Sequence, residues 1–105
     1  MSAEDPKSFE ALEVRVRGRV QGVGFRAWTE HEAQRRALEG WARNRRDGSV
    51  EAVFAGPPDT VADMIEACRR GPPMSRVDAL DAHDANLNDL GQRRAGETFS
   101  LLPTV

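Results

Sequence analysis

Apolar and polar residues alternate from Glu10 to Arg17: Val14 and Val16 point to one face and Arg15 and Arg17 to the other. That period of two belongs to a half-buried strand. The period then lengthens. Phe25, Trp28, Ala33 and Ala37 recur at spacings near three to five, with Glu30, His31, Gln34 and Arg35 between them, which predicts a helix from Phe25 to Leu38 with the two aromatic rings in the core. Two strands follow, Trp41 to Arg46 and Ser49 to Ala55, around Asp47-Gly48, a dipeptide that favours a type I′ hairpin. Gly56-Pro-Pro-Asp59 breaks the chain, and Val61, Met64, Ile65 and Cys68 at i, i+3, i+4 and i+7 mark a second helix that Gly71-Pro72-Pro73 stops. Val77 and Leu80 set a fourth strand over Arg76 to Ala82. His83 to Gly96 is polar and aperiodic, a loop by this reading, and Thr98 to Leu102 closes as a short strand with Phe99 and Leu101 on one face. The order βαββαβ is an α+β, ferredoxin-like split βαβ sandwich: an antiparallel sheet with two helices on one face.

The chemistry concentrates where the first strand meets the first helix. Gly18, Gly22 and Gly24 free the backbone between Arg17 and Arg26 to curl, so that successive N–H groups form a concave anion-binding nest. A helix starting near Phe25 adds unpaired first-turn donors and the positive end of its dipole. Arg26, at that start, offers a planar guanidinium that grips two phosphate oxygens at once. Gln21 offers a further donor, or is a solvated turn residue. Gly22-Val-Gly-Phe-Arg-Ala27 also fits the dinucleotide fingerprint, with Asp47 about 20 residues on. However, that acid falls in a hairpin, and the chain is too short for two mononucleotide halves. No Lys-Ser/Thr follows the glycines, which excludes a Walker loop.

The run GRVQGVGFR (Gly18 to Arg26), followed by GWARN (Gly40 to Asn44) and DGSVE (Asp47 to Glu51), resembles the acylphosphatase family, small enzymes that hydrolyse the carboxyl–phosphate bond. The likeness covers roughly residues 10 to 80 and, weakly, the end of the chain; three ordered motifs are far more specific than any one. It implies an acyl phosphate substrate, inorganic phosphate as product and competitor, and no cofactor. It implies a phosphate site at Gln21, Gly22, Val23, Gly24, Phe25 and Arg26. Arg26 and Asn44 are the implied catalytic pair, Asn44 placing the attacking water. The chain departs from the family pattern at Arg36, where Leu is common, and at Ala37, where Gly is. Arg36 is expected to lay its methylenes along the core edge, and Ala37 to let the helix run on to Gly40.

The remaining residues narrow the reaction. Neither His31 nor His83 has neighbours at ligand spacing, so no metal site is expected, and Cys68 lies on a core stripe. A phosphate cradle without nucleophile, metal or general acid speeds hydrolysis only where the leaving group departs unaided. A carboxylate does so at neutral pH, its conjugate acid having a pKa of about 4.

Composition adds bounds. With 105 residues, 39% of them hydrophobic, the chain is expected to be one domain spanning residues 1–105, with residues 1–8 flexible. The polar start predicts neither signal peptide nor membrane span, and a single cysteine suits the cytoplasm. A monomer is expected. The net charge of −2 is uneven: residues 14–46 hold nine Arg and three Glu. Such asymmetry also fits a nucleic-acid surface, but the chain has no Tyr and no interleaved aromatics for stacking, so no nucleic-acid partner is expected. A non-catalytic anion-binding module remains open on these grounds.

Overall fold

The computed structural model describes residues 9–105; the expected flexibility of residues 1–8 lies outside them. Strand β1 (Glu10–Arg19) runs two residues beyond its alternating pattern. Val14 and Val16, on its inner face, are fully buried. Around it the sheet has the order β4-β1-β3-β2-β5, with β2 at Glu39–Asn44, β3 at Val50–Gly56, β4 at Arg76–Asp84 and β5 at Phe99–Leu101. The pairs β1–β3, β1–β4 and β2–β3 are antiparallel. The expectation of a wholly antiparallel sheet is corrected at one edge, where β5 lies parallel to β2. Helices α1 (Phe25–Arg35) and α2 (Pro58–Arg70) cover one face. Val61, Met64, Ile65 and Cys68 all point inward from α2, and Phe54 stacks on Phe99 at 6.0 Å. Burial pushes the Cys68 thiol up to about 12, so this sulfur is an inert core atom.

Helix α1 stops earlier than its pattern. Instead of running to Leu38 or Gly40, it ends at Arg35, and Ala37 takes the left-handed conformation (φ 56) that glycine normally fills. The N–H of Ala37 donates to Gln34 O at 3.0 Å and that of Leu38 to Ala33 O at 2.9 Å, which is a Schellman closure. Burial of Leu38 anchors the turn, while Ala37, expected on the apolar stripe, is exposed. Arg36 does more than skirt the core: it bonds Glu32 at 2.7 Å and Asp63 of α2 at 2.8 Å, tying the helices together.

The hairpin also differs. Only Gly48 has positive φ (94), whereas a type I′ turn needs it at both central residues. Arg45 N–H donates to Ser49 O and Gly48 N–H to Arg45 O, making a three-residue loop.

The largest correction concerns residues 83–96. His83 and Asp84 complete β4, and a one-turn helix, α3 (Leu87–Leu90), is closed by a capping box between Asn86 and Asp89. This segment covers part of the sheet's second face: Leu90 packs with Trp41, Val53, Ala55 and Leu102, and Trp41 Nε1 donates to Asp89 O at 2.7 Å. Polar composition hid it, because only one side chain of the segment, Leu90, is buried in that cluster.

Candidate active site

The loop between β1 and α1 begins at Val20, which is buried and pins the chain to the core. Gly22 (φ 74) and Gly24 (φ 80) then turn through left-handed geometry, and Gly24 is the N-cap of α1. A β-carbon at either would meet open space, so the requirement for glycine here is conformational. Among the described residues, no main-chain hydrogen bond takes up the N–H groups from Gln21 to Ala27; the first helical bond is Trp28 N–H to Gly24 O at 3.0 Å. These free donors, with the positive end of α1, form a concavity whose chemistry suits an anion. Gly18 is not part of it. It lies in β1 at a register shift against β4, where a β-carbon would stand 2.2 Å from Arg76 O.

Opposite the loop stands Asn44, the last residue of β2, paired with Val50 of β3. Its carbonyl accepts from Val105 N–H at 3.2 Å, so its backbone is held from both sides. Among the described residues its carboxamide has no protein hydrogen bond. Gln21, Gly22, Gly24, Phe25, Arg26 and Asn44 line one cavity of about 230 Å³, together with Val20, Ala27 and Leu101. The structure thus brings Arg26 and Asn44 to the same space.

The individual contributions differ from the sequence reading. The Gln21 carboxamide is spent: Nε2 donates to the carbonyl oxygens of Arg45 at 2.7 Å and Ser49 at 2.8 Å, leaving only its main-chain N–H for an anion. Both partners are acceptors, so the amide nitrogen must face them, and the side chain becomes a brace from the loop to the hairpin beside Asn44. Val23 packs against the core and its side chain does not line the cavity. The buried ring of Phe25 packs on Trp28 at 5.4 Å, so main-chain N–H is what these two offer. Arg26 Nη1 reaches Leu102 O at 3.4 Å, and no carboxylate stands within ion-pair distance among the described residues. Leu101 and Leu102 escaped sequence reasoning because they lie some 75 positions from Arg26, with nothing local to signal the contact.

Most other arginines of the basic stretch are already neutralised. Glu51, buried under the sheet's outer face, receives Arg43 at 2.9 Å and Arg45 at 2.8 Å, with Arg15 at 3.8 Å. Burial alone would push its carboxyl up, but hydrogen bonds from Glu13, Arg43 and Arg45 hold it down at about 2. Glu13 is raised by its bond to Glu51 and by burial. Arg15 and Arg17 also face Asp47 at 3.9 and 3.8 Å. An ion-pair web thus holds Arg15, Arg17, Arg43 and Arg45 on this face. Among the described residues, no group of three His, Cys, Asp or Glu side chains has metal-binding spacing, and no helix is long and apolar enough to cross a membrane.

A model of the Acylphosphatase family matches residues 12–93. A curated acylphosphatase from Bradyrhizobium diazoefficiens is 63% identical over 94 residues, covering 90% of this chain and 95% of that protein. Among solved structures, an acylphosphatase from Coxiella burnetii superposes with a TM-score of 0.81 at 27% identity, covering 96% of this chain and all of that one. An acylphosphatase from Bacillus subtilis gives 0.75 at 35% identity, over 88% of this chain and 97% of that one.

Proposed function

Because the chain belongs to the acylphosphatase family and hydrolyses acyl phosphates, we propose that it does so with the residues 21–27 loop and Arg26 as phosphate cradle and Asn44 as the group that places water. The carrying observation is the set of unbonded N–H groups from Gln21 to Ala27 curled beside Arg26, with the unengaged Asn44 carboxamide lining the same cavity. The phosphoryl oxygens dock on the N–H groups and the guanidinium, which hold the charge that spreads over them in the transition state. Water, oriented by Asn44, forms the new bond from its oxygen to phosphorus. The bond from phosphorus to the acyl oxygen breaks, its electron pair staying on the carboxylate. One proton of the water passes to a phosphate oxygen, so carboxylate and inorganic phosphate are the products. No side chain needs to be a strong base, and the carboxylate needs no proton to leave.

The reading includes a metal-independent reaction, competition by inorganic phosphate, a single domain, and a monomer acting in the cytoplasm. The test is benzoyl phosphate hydrolysis by the purified protein in chelator. Turnover that persists in chelator and is competitively inhibited by inorganic phosphate supports the reading. Turnover that vanishes in chelator and returns with added metal refutes it.

A further inference from the structure

Helix α1 and strand β5 border more than the phosphate cavity. Arg26 and Ala27 line that cavity from the helix, and Leu101 lines it from the strand. A second, larger cavity of about 470 Å³ lies along the same two elements: Glu30 and Gln34 from the helix, Ala37 and Leu38 from its closing turn, Phe99 from the strand, and Glu97 and Thr98 just before it. Ala27, Glu30 and Gln34, at i, i+3 and i+7, share one helix face. Glu30 stands about 5 Å further along the axis than Ala27. Leu101 and Phe99, two residues apart on β5, likewise share a face.

The chemistry of the second cavity is lopsided. Leu38 and Phe99 give it an apolar floor, while its only charged lining residues are the carboxylates of Glu30 and Glu97. Glu30 has no ion-pair partner among the described residues. Glu97 is steadied by Ser100, whose hydroxyl donates to Oε1 at 2.6 Å, a neutral bond that leaves the charge in place. Of these two cavities along one trough, the phosphate cavity thus has a cationic lining and the second an anionic one on an apolar base; Arg93, whose Nη1 reaches Thr98 O at 3.1 Å, is already paired with Glu39 at 3.1 Å.

From this, and resting on the cradle reading above, we infer that the acyl part of the substrate lies in the trough between α1 and β5, where Glu30 and Glu97 select acyl phosphates carrying a cation at their far end over those carrying a carboxylate. A bound phosphoryl group leaves its acyl chain to extend beyond the cradle, and the trough supplies apolar contact for the methylenes. Partly exposed charge pairs contribute modestly, so the selection is one of several-fold.

Three substrates test it: hexanoyl phosphate, its analogue with a trimethylammonium group on C6, and the monophosphate of adipic acid. The quaternary nitrogen cannot attack its own acyl phosphate. We expect kcat/KM to fall in the order trimethylammonium, neutral, carboxylate, and the several-fold ratio of the first to the last to drop to near one in a Glu30→Gln/Glu97→Gln variant, mostly through KM. The same ratio in parent and variant, or a parent ratio near one, overturns the inference while hexanoyl phosphate turnover leaves the cradle intact. Failure of the parent to hydrolyse any of the three removes the cradle reading and this inference together.

Discussion

Asn44 has a backbone fixed on two sides and a side chain left free, which is what a group that aims a water molecule requires. Replacing Asn44 with Ala is expected to lower kcat by roughly 10²-fold or more, because the nucleophile loses its alignment. Phosphate affinity should change little, since the cradle donors are elsewhere. Steady-state kinetics beside isothermal titration with phosphate check this, and a large loss of phosphate binding would move Asn44 into the cradle. Glycine spacing, an arginine at a helix start and the family motifs made Arg26 and Asn44 candidates in the sequence, and the fold places both on one cavity. Gln21 was legible as a further donor to the anion or as a solvated turn residue, not as a brace between loop and hairpin. Its two acceptors, Arg45 and Ser49, lie 24 and 28 positions away, and only folding brings those carbonyls under it.

At the level of elements, periodicity located every long strand and helix, because burial of one face is a local constraint written every second or every third to fourth residue. Element ends were less legible, since they depend on single backbone conformations. Ala37 is the clearest case: packing of Leu38 forces the chain through left-handed geometry even though the residue there has a β-carbon. Because glycine enters that region without the steric penalty, Ala37→Gly is expected to stabilise the fold by about 1 kcal/mol. Thermal unfolding should then rise by about 4–8 °C, the scale for a domain of this size. A fall would show that the penalty is already relieved by some other contact. The short α3 was invisible for the opposite reason: its capping box is polar and, of its two leucines, only Leu90 is buried, so composition resembled a loop.

Across the whole molecule, the basic stretch is mostly consumed internally, with Glu51 and Asp47 absorbing Arg15, Arg17, Arg43 and Arg45. Sequence showed the charge excess but not its partners, because the pairing runs across strands. This web makes acid stability a property of the sheet. The folded pKa of Glu51, about 2, lies below its ordinary 4.5, so its stabilisation is present above pH 4.5 and is lost as pH falls toward 2. Glu13, with a raised pKa, works in the opposite sense: its contribution is present below 4.5 and disappears as pH rises through its folded value, partly offsetting the change. Denaturant midpoints should therefore drop across that acid window, and the drop should be shallower in Glu51→Gln; equal slopes would remove Glu51 as its source. The proposed phosphate cradle draws on equally distant parts, namely the β1–α1 loop, the end of β2 and the C-terminal segment behind Arg26. Amide-resolved NMR titration with inorganic phosphate, on the parent and on Arg26→Ala, addresses it most directly. The N–H signals from Gln21 to Ala27 should shift saturably in the parent, and both the shifts and benzoyl phosphate turnover should be lost in the variant. Phosphate shifts located elsewhere, or an Arg26→Ala protein that still binds phosphate and turns over, would contradict the account.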